Sequence, residues 1–140
     1  MTRRRYPAAE AAFAIWFIVF VSLTGSGCGA SSRSKALKTT LASVDAARAA
    51  FTMWDDKTQA RIVDEASSLD EGRAKLALHR AKRDKLTGYF ELAYRTLAAA
   101  LAAEDGDTFA VVGAVSELWT AYEKTVGQPP PGPGATPVVE

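Results

Sequence analysis

Between residues 34 and 126 the apolar positions recur every three or four residues, with no proline and no alternation of period two. That spacing keeps side chains on one face of an α-helix. A first stripe runs through Leu37, Leu41, Val44, Arg48, Phe51, Asp55, Thr58, Ile62, Ala66 and Leu69. It predicts one helix over residues 34–67. The alternative is two helices broken at "WDDK", but the period passes through that stretch unchanged. In "SSLDEG", Ser68 followed by Glu71 forms a capping-box pattern and starts a second helix. Its stripe is Leu76, His79, Arg83, Leu86, Phe90, Ala93, Leu97 and Ala100. "AAEDGD" ends it, with Gly106 suited to the left-handed stop and Asp107 placed to cap a third helix. There Val111, Val112, Val115, Leu118, Trp119, Tyr122 and Val126 form a broad apolar face, closed by "GQPPP".

Short links favour antiparallel neighbours. Two helices of about 35 residues run roughly 50 Å, and a third of about 20 residues runs roughly 30 Å. The expected fold is therefore all-α: a long antiparallel helical hairpin with a shorter third helix, a three-helix bundle at the base and a two-helix tip beyond it. Phe51, Trp54, Tyr89, Phe90, Tyr94, Phe109, Trp119 and Tyr122 fall in or near the three-helix part and are expected to fill its core.

Polar side chains interrupt the two apolar stripes at one level of this hairpin. With a turn at residues 67–70, antiparallel partners have numbers adding to about 137. Arg83 then faces Asp55, and His79 faces Thr58. A charge on a buried face is tolerated when paired, so Asp55, His79 and Arg83 are expected to form a polar layer. Its plain role is to fix helix register. A contact point for a partner or ligand is the functional alternative. Proton transfer by His79, whose type titrates near neutrality, lacks a nucleophile or orienting carboxylate at diagnostic spacing.

Outside the bundle, "MTRRRYP" is a basic leader and "AAFAIWFIVFVSL" (residues 11–23) is an uncharged apolar run with the length of a signal-peptide core. A full bilayer span takes roughly 20 apolar residues. Arginines at the start keep that end cytoplasmic and place the remainder of the chain outside. Small residues then precede the only cysteine, Cys28, in "GSGC". This segment resembles the signal of bacterial lipoproteins, in which such a cysteine becomes the lipidated first residue of the mature chain. Ser26 and Gly27 match the pattern. Gly25 stands where a leucine is usual, and Leu23 comes two positions early. The resemblance implies cleavage before Cys28 and a lipid anchor. An uncleaved N-terminal helix or ordinary secretion are the other outcomes. With Ala30 rather than aspartate after the cysteine, it also implies the outer membrane in a two-membrane bacterium.

The organisation expected is thus a signal peptide or membrane anchor over 1–28, a tether over 29–33 ("GASSR"), the bundle over 34–126, and a disordered or polyproline II (PPII) tail over 127–140. Removing Arg3, Arg4, Arg5 and Glu10 leaves 14 basic and 15 acidic residues. This balance offers no broad electrostatic surface for nucleic acid. "RAKLALHRAKRDK" (73–85) is locally basic, but its charges spread around the helix. One cysteine and one histidine exclude an internal disulfide and the usual zinc site. Phosphate-loop, paired-cysteine and nucleophile-elbow motifs are absent. No cofactor and no catalysis are expected.

The reading is a small envelope protein held at a membrane, facing away from the cytoplasm, that binds an envelope protein, cell-wall polymer or second copy of itself. Ile62, Leu69, Leu76 and Leu78 at the tip point to a homodimer as one way to cover an apolar seam. A short lipoprotein with a proline-rich end is also similar to the outer-membrane subunit of phage spanins, which implies a lysis accessory. A small-molecule carrier or enzyme with a site near His79 and Arg83 is the third reading.

Overall fold

A computed structural model of the protein describes residues 30–103 and 108–133. They form three helices: α1 (Ala30–Glu65), α2 (Leu69–Ala102) and α3 (Thr108–Val126). Among the described residues there is no strand. The fold is all-α, as the periodicity requires. The apolar run at 11–23, Cys28, Gly106, Asp107 and the tail from Gly134 lie outside the described residues.

α1 is one unbroken helix of 36 residues, about 54 Å long at 1.5 Å per residue. It passes through "WDDK" without interruption. It also takes in residues 30–33, which the sequence suggests as a tether; alanine and serine are compatible with a first helical turn. Arg33 Nη2 donates to the Ala100 carbonyl at 3.3 Å. That carbonyl belongs to the last turn of α2, where carbonyls have no partner within their own helix. The contact ties the start of α1 to the end of α2.

The turn between α1 and α2 follows from its sequence. Ser68 caps α2, its hydroxyl accepting from the Glu71 amide at 3.2 Å. The Glu71 carboxylate reaches back one residue further than a standard capping box. It accepts from the Ser67 amide at 3.1 Å and from the Ser67 hydroxyl. It also pairs with Lys75 Nζ at 2.7 Å. The Lys75 hydrogen bond, followed by those from Ser67, pulls the Glu71 carboxyl down to about 2. At the same turn Gly72 is buried, and a Cβ there would meet the Ala66 Cβ at 3.2 Å. The chain thus reverses tightly. Leu69 does not continue the α1 stripe; it opens α2 and is 71% exposed.

α2 is the central element. It packs against α1 on one side and α3 on another, whereas α1 and α3 touch only lightly. The core joins Leu37, Val44 and Phe51 of α1, Leu86, Phe90 and Leu97 of α2, and Val111, Val115, Leu118 and Tyr122 of α3. Fully buried Ala47 and Ala93 let the helix backbones come close. Phe90 is the junction, with its ring centroid 5.8 Å from Phe51 and 6.5 Å from Tyr122. Phe109 is not part of this core and is 72% exposed. It stands two residues before Val111, about 200° round the helix, on the face turned away from α2.

α1 is buried at Leu37, Thr40, Val44, Ala47 and Phe51, but beyond Phe51 its stripe is only half-buried. α3 is too short to reach further. It ends at Gly127, whose φ of +79° is the left-handed stop, its amide bonding the Glu123 carbonyl at 2.9 Å. Of the three helices, α1 and α2 alone reach the tip.

These local arrangements can be tested at two places. Gly88 and Gly113 sit within helices, exposed, and a Cβ at either meets nothing within 4 Å. Gly88→Ala and Gly113→Ala are each expected to raise unfolding free energy by about 0.5–1 kcal/mol, read by urea denaturation. The second place is Glu71. Because its folded-state pKa is depressed, its contribution is complete above the ordinary value of 4.5 and fades as pH falls toward about 2. An NMR titration is expected to place the Glu71 carboxyl midpoint near 2, with the Ser67 amide shifting in step. A midpoint at 4.5 would mean that the capping contacts do not form in solution.

Candidate functional site

The polar layer forms at the point where α3 gives out, but with different pairing from the one the sequence suggests. Asp55 meets His79, not Arg83. His79 Nε2 lies 2.6 Å from Asp55 Oδ1. The side chains are 5% and 13% exposed, so the contact is almost dry. An ionised carboxylate only accepts, so the ring nitrogen facing it carries the proton. Gln59 Nε2 donates to the other oxygen, Oδ2, at 3.0 Å. Trp54 walls the layer, its ring centroid 5.2 Å from His79 and 5.7 Å from Phe51. Thr58, the partner expected for His79, is half-buried nearby on α1.

Arg83 turns outward. Its Nε and Nη2 donate to Asp84 Oδ1 at 3.0 and 2.9 Å. Side-chain length explains the exchange. A guanidinium on a flexible stem reaches water from an interfacial position, whereas a short imidazole stays between the helices. The Asp84 hydrogen bond, then its charge, raises the Arg83 pKa, with a lesser contribution from the charge of Asp55. Arg83 thus feels the layer without belonging to it.

Two further polar contacts join α1 to α2 toward the base. Arg48 lies on the buried stripe, with its guanidinium carbon 5.8 Å from the Phe51 centroid and 5.1 Å from that of Phe90. Its Nη1 donates to Thr87 Oγ1 at 3.5 Å. The stem packs while the charge sits over ring faces. Nearer the base, the Tyr94 hydroxyl donates to Asp45 Oδ1 at 2.7 Å. Desolvation, then that hydrogen bond, pushes the Tyr94 phenol up to about 12.

Sequence reasoning missed Gln59, the Arg48–Thr87 contact and the Asp45–Tyr94 bond, and it placed Trp54 in the core without its contact to His79. Gln59 stands four residues after Asp55, a spacing at which helix side chains meet, so that signal was present. The Tyr94 contact depended on knowing the edge of the hairpin on which Asp45 lies.

Chemically, the layer holds one imidazole against one carboxylate and fixes the rotation of α1 against α2. Among the described residues, no three His, Cys, Asp or Glu side chains come together as a metal site. Among the same residues, every buried side-chain nitrogen or oxygen has a hydrogen-bond partner, and no helix is long and apolar enough to cross a membrane. No family model, curated protein or solved structure matches the chain.

The layer makes a direct prediction. Asp55→Leu strands a buried imidazole and is expected to lower stability by about 1–3 kcal/mol. Asp55→Leu/His79→Leu is expected to recover part of that loss, because an apolar pair of similar size leaves no unmet donor. Arg83→Leu is expected to change stability by less than about 0.5 kcal/mol, as exposed ion pairs contribute little. Urea denaturation of these variants beside the parent chain forms the comparison. A loss for Arg83→Leu equal to that for Asp55→Leu would place Arg83 in the layer.

Proposed function

We propose that the protein is a small membrane-anchored envelope protein, held at Cys28 by lipid, that acts by binding through the far end of its helical hairpin. The observation that carries the reading is the exposure of apolar side chains at the end of the hairpin that no third helix reaches, in addition to Leu92, Leu101 and Phe109 exposed toward the base. Val63 at 61% and Leu69 at 71% exposure sit at the far end, beyond the reach of α3. The base is where the sequence joins the bundle to Cys28, shortly before the first fully buried residue, Leu37. An anchor at one end and an uncovered apolar end at the other suit a spacer that presents a contact surface away from the membrane. The partner is another envelope protein, cell-wall polymer or a like subunit. Stable holding takes more than one acyl chain, since burial contributes ~0.8 kcal/mol per methylene and a single chain binds reversibly; lipidation of the kind the Cys28 segment resembles supplies several.

Intact mass analysis of the protein extracted from the membrane fraction tests the address. A chain beginning at lipid-modified Cys28 is the expected result. A chain retaining Met1 and the three arginines would replace the lipid with an uncleaved anchor. Recovery in the soluble fraction without lipid would remove the reading. The contact surface is tested separately with a photo-crosslinking residue at Leu69, compared with one at Leu92 on the base. Crosslinks to envelope components from position 69 alone are expected, and equal crosslinking from both positions would discard the tip as the binding end.

A further inference from the structure

Two sides of the hairpin differ. On one, Asp45 bonds Tyr94 and Arg48 bonds Thr87, so that edge is closed by polar contacts between α1 and α2. The other edge is the one α3 covers at the base: on α2 the buried Ala93 and Ala100 lie about 100–140° round the helix from Tyr94 and Thr87. Eighteen residues make about five full helical turns. Toward the tip, Lys75 therefore stands in line with Ala93, Lys82 with Ala100, and Leu78 with Thr96. Leu78 is 63% exposed. On α1, Trp54 lies on the side opposite Asp45 by the same rotation, so it belongs to this edge too. Its indole is half-buried. The face that α3 covers near the base thus continues past Val126 as an aromatic and aliphatic shelf flanked by lysines.

The chain continues beyond α3 as "GQPPPGPGATPVVE". With Tyr122 against Phe90, antiparallel packing sets Val126 beside Leu86, about 10 Å short of the His79 and Trp54 level. A PPII segment rises about 3.1 Å per residue, so Pro129–Pro131 arrive at that level. Pro130, Pro131 and Gly132 are half-buried. Residues that trailed into solvent would not be. Pro129–Pro133 in PPII conformation span roughly 15 Å, which carries them from the His79 level to about the Gly72 level of α2.

We infer that the proline-rich segment, over Pro129–Pro133, is the third element of the tip. It lies in PPII conformation along the shelf of Trp54, Leu78 and the stems of Lys75 and Lys82, in continuation of α3. Proline rings on an aromatic face are a recurring mode of recognition, because PPII has little conformational entropy left to lose. The segment covers the Trp54 side of the Asp55–His79 layer and leaves the Val63–Leu69 edge open. Docking of this kind does not depend on how the protein is anchored.

The test uses the full-length chain in detergent micelles with Cys28→Ser and Pro133→Cys, spin-labelled at position 133, which is exposed and falls about 11 Å past the His79 level. Amide resonances of residues 54–58 and 75–82 are expected to lose at least half their intensity and recover on reduction of the label. Those near Asp45 and Tyr94 are expected to be spared. Replacing Pro129, Pro130 and Pro131 with serine is expected to abolish the loss. No broadening at these positions would overturn the inference. So would broadening that appears only when isotope-labelled chains are mixed with spin-labelled, isotope-free ones, since the occupant would then be a second copy. Broadening that survives the serine replacements would overturn the PPII docking.

Discussion

Phe90 is where the three helices meet. Its ring touches Phe51 on α1 and Tyr122 on α3, and the Arg48 guanidinium sits over it. α2 therefore has to be apolar on two adjoining faces, one for each neighbour. It meets this with one buried set, Leu86, Phe90, Ala93, Leu97 and Ala100, shared between the two. Neither α1 nor α3 could substitute for it, since the two barely touch each other. The dependence is asymmetric: α1 and α3 are each held chiefly through α2. Cavity formation at this point would loosen both contacts at once, because interiors are packed too densely to refill a lost ring.

The polar layer has a different logic. An imidazole and a carboxylate at the boundary of the core add little net stability over apolar residues of equal size. They do penalise every other rotation of α1 on α2, because an alternative leaves one of them buried alone. Alanine-rich helices need such a device, since small side chains interdigitate weakly and permit sliding. The layer also marks the limit of the three-helix core, with Trp54 bridging from Phe51 to His79. Polar contacts continue toward the base on one edge, at Arg48–Thr87 and Asp45–Tyr94. The register is thus set at three levels along the hairpin.

Much of this was legible in the residues. Helix number, the unbroken passage through "WDDK", the Ser68 cap and the inward stripe of α2 all follow from periodicity and capping, which are local properties. The polar layer was legible as a place but not as a pairing. Register arithmetic set Arg83 opposite Asp55, whereas side-chain geometry selects the shorter His79 and lets Arg83 reach Asp84. Phe109 was misjudged because aromatic identity outweighed angle: two residues before Val111 is the outer face of α3. Leu69 was assigned to the wrong helix because a three-residue step fits the α1 period across a turn that had already ended it. These errors share a cause. Periodicity says which residues lie on a stripe, but only the neighbour's position says which edge of the stripe is covered.

The mismatch in helix length governs how stability is distributed. Toward the base, each turn of α2 has two partners, whereas toward the tip it has one, and burial on α1 declines past Phe51. Local opening free energy scales with the contacts broken, so the tip is the part of the hairpin that opens most readily. The capping network of Ser67, Ser68, Glu71 and Lys75 acts against this at the far end. Exposed contacts of that kind are individually weak. They restrain the turn without sealing the seam. The Asp55–His79 layer acts from the other side, closing the hairpin where α3 stops. Between these two restraints lies the stretch carrying Val63 and Leu78, where apolar area is exposed at low local stability. A third element laid on that stretch gains contact area while adding cooperativity to a segment that has little of its own. The missing contacts are therefore concentrated between two fixed points, which limits the shapes that any covering element has to fit.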